Sequence, residues 1–361
     1  MPLTATLATF TERYTGTDLI TAKLVKNQSL QGNVASVSLQ LGFACAGYDR
    51  ELAQAVKAHI EQHHPGVVAQ VQVGWNVLSH TVQAGLSPIK GVKNILAIAS
   101  GKGGVGKSTV TANVAASLQQ LGARVGVLDA DIYGPSQPTM LGIKNERPRS
   151  PDGKTMLPVQ AHGMVVNSIG LLVEQDTPML WRGPMVTQAL SQLLFETQWA
   201  LHGELDYLLI DLPPGTGDTH LSLTQKIPLS GAVVVTTPQD IALIDAKKGL
   251  AMFQKVNVPV LGVVENMSTH ICSACGHEEA LFGSGGGAAM AAQYNVPLLG
   301  QLPLNANVRL QADSGTPIVL SAPDSAPAKA YRDLALTAAA HLAQQARDYS
   351  HKFPTIVIKN D

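Results

Sequence analysis

"NILAIASGKGGVGKSTV", residues 94 to 110, decides the fold of this chain. The apolar run Ile95 to Ala99 leads into a glycine-rich stretch, and the helical pattern "KSTVTANVAASLQQLG" follows at once. Gly101 to Ser108 fit G-x-x-x-x-G-K-[ST], in the strand–loop–helix setting that this spacing requires. Its glycines let successive backbone N–H groups turn inward around phosphate oxygens. The helix N-terminus adds a favourable dipole. The expected cradle is Gly101, Lys102, Gly103, Gly104, Val105, Gly106, Lys107, Ser108 and Thr109. Lys107 is expected on the β- and γ-phosphates of a nucleotide, and the Ser108 hydroxyl on Mg²⁺.

Outward from this loop, short apolar runs recur: "RVGVLDA", "MVVNSIG", "DYLLIDL", "GAVVVTT" and "VPVLGVVEN". Helical segments such as "DIALIDAKKGLAMFQKV" separate most of them. That alternation predicts an α/β fold with a mostly parallel sheet covered by helices on both faces. Ligands of such a sheet sit beyond the C-terminal strand ends. Residues 1–75 read differently, as strand, strand, helix, strand, with Leu52, Ala55, Val56 and Ile60 on one helix face. The expected division is a small α+β domain over 1–75, a linker over 76–93, a P-loop ATPase domain over 94–350 and a tail over 351–361. "PAKAYRDLALTAAAHLAQQARDYS" reads as a closing amphipathic helix.

Hydrophobic residues make up 45% of the chain and charged ones 14%, so a large core is available. The net charge of −1 gives no general attraction to nucleic acid or to an acidic membrane. The N-terminus does not read as a secretory signal, and no stretch reaches the ~18 apolar residues of a membrane span. With three cysteines and no disulfide framework, a cytoplasmic protein is expected.

Further loops leave the ends of these apolar runs. "VLDADIYGPS" brings Asp129 and Asp131, and "YLLIDLPPGTGD" brings Asp211, a carboxylate placed to hold Mg²⁺ through water. Gly215, Thr216 and Gly217 read as a switch near the γ-phosphate. "ICSACGHEE", 271 to 279, sets Cys272 and Cys275 three positions apart. The pair is open to several readings: a redox dithiol, half of a zinc site or half of an iron–sulfur site. One chain holds too few cysteines for a four-thiolate site, since Cys45 is the only other one. A two-fold dimer would supply four thiolates, and these suit zinc or an iron–sulfur cluster equally well. His277 reads as a solvated loop histidine.

"KGGVGK" resembles the deviant phosphate loop of the MinD/ParA/nitrogenase-reductase class. The ordered set "NILAIASGKGGVGKSTV", "DADIYGPSQPTMLG", "WRGPM", "DYLLIDLPPGTGD", "VENMS…CSACGH…FGSGGG" and "LGQLPL" resembles the Mrp/ApbC family of iron–sulfur cluster carrier ATPases over roughly 90–320. The resemblance implies a homodimer in which Lys102 reaches the partner's nucleotide. It implies that Asp131 positions the attacking water and that Asn266 reads the base. It also implies that Cys272 and Cys275 ligate a labile [4Fe–4S] cluster shared between protomers, with ATP hydrolysed and the cluster passed to apoproteins. An iron–sulfur assembly scaffold is the implied donor; nucleic acid and membrane are not implied partners. The N-terminal unit resembles a small iron–sulfur maturation domain, but "ACAG" stands where that domain usually reads ACP. Cys45 is therefore read as a core residue, with transient cluster contact as the alternative. No ligand role is expected for Trp181.

Two other readings compete. A spatial-organisation ATPase of the MinD/ParA kind would share the phosphate loop but lack the thiol pair. A P-loop ATPase with a structural zinc bridging the dimer would keep both.

Overall fold

The computed structural model describes residues 2–173, 183–272 and 275–348. Trp181 and the 351–361 tail, both considered above, lie outside the described residues.

The chain opens with a short helix, Leu3–Leu7 (α1), and a three-stranded sheet. Val25–Gln31 (β1) and Val34–Leu41 (β2) form an antiparallel hairpin. Tyr48–His63 (α2) then carries the chain back so that Val68–Trp75 (β3) pairs parallel with β2. Residues of β2 alternate between buried and half-buried, which is the period of a strand with one covered face. Leu52, Val56 and Ile60 of α2 cover that face, whereas Ala55, expected beside them, is exposed. Those three apolar residues at i, i+4 and i+8 suffice for the contact.

The second sheet has eight strands in the order β13-β10-β9-β4-β8-β5-β7-β6. They are Ile95–Ser100 (β4), Val125–Asp129 (β5), Val159–Ala161 (β6), Met164–Ser168 (β7), Tyr207–Asp211 (β8), Gly231–Thr236 (β9), Val260–Glu265 (β10) and Leu298–Gln301 (β13). Neighbours run parallel except at one edge, where β6 pairs antiparallel with β7. Every residue of β4, β5, β7, β8 and β9 is buried, as expected of a parallel sheet covered twice.

Along β4 the faces alternate. Leu96 and Ile98 join a core with Lys107–Gln120 (α3) and Ala326–Ala343 (α11), whereas Ile95, Ala97 and Ala99 join one with Gly183–Phe195 (α5) and Asp240–Lys255 (α7). Alanines on α3 (112, 115, 116) and α11 (335, 338, 339) let these two helices lie close together, since the separation follows side-chain size. α11 starts at a Ser325 cap, whose Oγ accepts from Ala328 N at 3.3 Å, with a proline in its first turn. Each buried leucine of α11, such as Leu334 or Leu342, contributes about 1.5–3 kcal/mol.

The N-terminal unit shares the α3/α11 core rather than closing one of its own. Phe43, Cys45 and Tyr48 belong to it together with Tyr331 and Leu336. Asp333 of α11 accepts from Tyr14 Oη at 2.7 Å and from Arg13 Nη2 at 3.0 Å. Within 76–93, Val77, His80 and Gln83 are buried. His80 Nδ1 donates to Asn94 Oδ1 at 2.8 Å, and Gln83 Oε1 accepts from Leu229 N at 2.9 Å. This stretch is thus anchored along the base of the large sheet.

Candidate functional site

β4 ends at Ser100, and the glycine-rich loop turns into α3. Three of its glycines answer to definite constraints. A Cβ on Gly101 would sit 2.2 Å from the Asp245 carbonyl carbon, so only glycine lets the loop lie on α7. Gly104 and Gly106 hold φ of +83° and +84°, the left-handed region that glycine enters without steric cost. Gly106 also faces the Asn266 amide, which a Cβ would meet at 2.2 Å. Asn266 Nδ2 donates to Val105 O at 2.8 Å and braces the loop from the end of β10. Lys102 is half-buried at the mouth and takes part in no ion pair among the described residues.

Lys107 points into the centre. Its Nζ lies 2.5 Å from Asp211 Oδ1, 3.9 Å from Asp131 Oδ2 and 3.3 Å from Ser108 Oγ. Asp211, at the end of β8, is fully buried. It also accepts from Thr111 Oγ1 at 3.2 Å and from Gln137 Nε2 at 2.8 Å. Asp129, at the end of β5, is buried too and organises the next loop. It accepts from the N–H groups of Asp131, Ser136 and Gln137 at 3.1, 2.9 and 3.0 Å. Burial, reinforced by the Asp211 charge, pushes the Asp129 carboxyl up to about 7. Burial also raises Asp131, against the pull of Lys107. One ammonium therefore faces three carboxyl groups beyond the strand ends.

The 215–217 segment, expected as a switch, is tied to the same loop. Gly215 N donates to Ser100 O at 3.0 Å, and Gly215 O accepts from His220 Nδ1. Burial lowers the His220 pKa and favours its neutral form. With Nδ1 as donor, that form leaves a lone pair on Nε2, which is buried without a partner.

The thiol pair sits at the tip of a hairpin. His270–Ile271 (β11) pairs antiparallel with Glu278–Glu279 (β12). Cys272 N donates to His277 O at 2.9 Å, and Gly276 N to Cys272 O at 2.8 Å. Cys272 is half-buried and Cys275 exposed; Ser273 and Ala274 between them lie outside the described residues. Exposed Ile271 and Leu281 flank the tip. Among the described residues no three Cys, His, Asp or Glu side chains gather to hold a metal ion. One chain thus brings two cysteines to this hairpin. The hairpin is set by Ser268 N to Leu302 O, 3.0 Å, and Leu304 N to Thr269 O, 2.7 Å. Buried Glu265 at the end of β10 accepts from Ser268 Oγ at 2.9 Å and from Gln301 Nε2 at 2.7 Å. Cys45 stands apart, fully buried in the α3/α11 core. Burial pushes its thiol up to about 12, so it stays protonated and offers no thiolate.

Thus Lys107, Ser108, Asp131, Asp211 and Asn266 converge on one loop, and Cys272 and Cys275 lie apart on their own hairpin. Thr111, Gln137, His220 and Glu265 were not foreseen. Thr111 could have been found, because it lies one helical turn after Lys107.

Loop, sheet order and carboxylates together define a P-loop nucleoside-triphosphatase. The family described as ParA, NUBPL iron-transfer P-loop NTPase, matches residues 91–339, and the chain belongs to it. Proteins named iron-sulfur cluster carrier protein are similar over most of the chain. That of Haemophilus influenzae is 51% identical over 318 residues, covering 88% of this chain and 85% of the relative. That of Escherichia coli strain K12 is 50% identical over 346 residues, covering 94% and 91%. Among solved structures, an Archaeoglobus fulgidus nucleotide-binding protein in complex with ADP superposes with a TM-score of 0.55 at 36% identity, covering 62% of this chain and 87% of that one. The Pyrococcus furiosus cell division ATPase MinD gives 0.50 at 26%, covering 68% and 97%.

Proposed function

We propose that this chain is an ATP-hydrolysing carrier of iron–sulfur clusters, working as a homodimer whose two thiol pairs hold one [4Fe–4S] cluster as cargo. The observation that carries this reading is Cys272 and Cys275 together at the tip of one short hairpin, so that each chain brings two thiols. A two-fold axis at that tip supplies four thiolates. The names of the relatives support an iron–sulfur cargo over a structural zinc. Apo iron–sulfur proteins are the recipients, an assembly scaffold is the donor, and the cytoplasm is the setting. No described helix is long and apolar enough to cross a membrane.

The phosphate loop suits ATP with Mg²⁺. Ser108 Oγ and Asp211 are hard oxygen donors, and the Gln137 amide bonds both Asp211 and the Ser108 backbone. When bound, Mg²⁺ neutralises charge on the phosphates. The chain's own residues do the rest. A phosphate that competes for Lys107 draws the ammonium away from Asp211 and frees that carboxylate. Asp131 orients the attacking water, and its raised pKa suits it to receive a proton. Lys102 places a second positive charge at the partner's nucleotide. Asn266 holds Val105 while it meets the base, and the thiol hairpin begins four residues later at His270. Nucleotide and cargo are thus linked through the end of β10.

Anaerobic reconstitution with iron and sulfide tests the reading, with Cys272→Ser and Cys275→Ser alongside. About four iron per two chains is expected, with loss of the visible absorption in either variant. Cluster retention in both variants, or tight zinc with no cluster, overturns it.

A further inference from the structure

Gln137 joins three loops at once. Its backbone N–H donates to Asp129 Oδ2 at 3.0 Å. Its side-chain Nε2 donates to Asp211 Oδ2 at 2.8 Å and to Ser108 O at 3.0 Å. The residue is wholly buried. A carboxylate and a carbonyl only accept, so the amide has one workable orientation: Nε2 faces them and Oε1 faces away. That Oε1 is buried and has no hydrogen-bond partner.

A buried amide oxygen is satisfied by a hydrogen-bond donor or by direct contact with a cation, and Mg²⁺ gives up little of its water shell for such contacts. Nucleotide phosphates bring acceptors. The neighbouring ammonium, Lys107, already bonds Asp211, and on the reading above it is the group that phosphate engages. What remains is water. Mg²⁺ surrenders its waters reluctantly and keeps several when it binds phosphates, and polarised water is a strong donor. Ser108 and Asp211, the two groups suited to such a cation, are the ones the Gln137 side chain already ties together.

We infer that Gln137 is a positioning residue for the Mg²⁺–nucleotide complex: Nε2 fixes Asp211 against the Ser108 backbone, and Oε1 accepts from a water of the cation's shell. This rests on the Mg²⁺ reading given above. It also explains why the Asp129 loop is drawn so tightly onto the end of β8, since the three N–H bonds to Asp129 deliver Gln137 to its place.

The test is the affinity of full-length protein for a fluorescent ADP, measured in Mg²⁺ and in EDTA. Gln137→Met conserves volume and removes both the donor and the acceptor. Its affinity in EDTA should stay within about twofold of the parent, while the gain on adding Mg²⁺ should fall about tenfold or more, the usual effect of losing an outer-shell partner. Gln137→Glu, buried against the Asp211 carboxylate, takes up a proton, so its O–H replaces the Nε2 donor and its carbonyl oxygen remains an acceptor. It should retain the Mg²⁺ gain within about threefold. An undiminished gain in Gln137→Met overturns the inference. So does a gain lost in Gln137→Glu, which keeps both a donor and an acceptor; this second arm decides alone if the methionine variant does not fold. A parent protein that binds the ADP equally well in Mg²⁺ and EDTA would instead remove the Mg²⁺ reading itself.

Discussion

Replacing Lys107 by alanine should destabilise the protein in a pH-dependent way, quite apart from its effect on hydrolysis. The lysine side chain is 6% exposed and that of Asp211 0%, with 2.5 Å between Nζ and Oδ1. Asp131 Oδ2 lies 3.9 Å from the same ammonium, and Asp129 is buried beside Asp211. Removing the cation leaves three acids facing one another. Breaking a buried pair costs about 3–5 kcal/mol. The low end of that range applies, because Asp211 keeps its bonds from Thr111 and Gln137. Lys107 lowers the Asp129 and Asp131 pKa values, so without it both rise further, the folded state binds more protons than the unfolded one and stability falls as pH rises. The deficit against wild type should therefore be about 3 kcal/mol at pH 8 and distinctly smaller at pH 5. Urea unfolding of nucleotide-free protein at both pH values measures it. Lys107→Ala combined with Asp211→Asn should recover half or more of the loss at pH 8, because the double variant no longer buries that unpaired charge. Equal losses at both pH values, with no recovery in the double variant, would refute the reasoning.

Other outcomes follow from the same geometry. Gly101→Ala sets a methyl 2.2 Å from the Asp245 carbonyl carbon, a backbone atom that cannot turn aside; nucleotide binding measured by calorimetry should be lost. In folded, cluster-free protein a thiol reagent should modify exposed Cys275 quickly and Cys45 only on unfolding, since that thiol is buried and pushed up to about 12; fast modification of Cys45 would contradict its placement. Asp129, raised to about 7, binds a proton in the folded state that the unfolded chain has released. Its contribution should fade as pH rises from about 4 to about 7, and Asp129→Asn should flatten that part of the stability profile seen by urea unfolding.

The phosphate loop was legible because its chemistry is carried by local backbone: glycines at fixed offsets, a preceding apolar strand and a following helix. The parallel sheet was legible because strands buried on both faces read as unbroken apolar runs. Gln137 was not, since its importance arises where the ends of β5 and β8 meet, and nothing in "GPSQPTM" announces that meeting. The edge strand β6 and the thiol hairpin strands β11 and β12 are two or three residues long, too short for a period of two to register. Ala55 was placed on the covered face of α2 because alanine fits either face of a helix; its neighbours Leu52, Val56 and Ile60 already fill that face. The sequence favours the core for Cys45 over cluster contact, and its burial agrees.

The central claim is that two half-sites at the hairpin tips make one whole. Anaerobic native mass spectrometry of the reconstituted protein tests it most directly. The account predicts a single species of two chains with one [4Fe–4S] cluster, reverting to cluster-free protein in Cys272→Ser. A cluster retained on one isolated chain, or a dimer whose only metal is zinc, would contradict it.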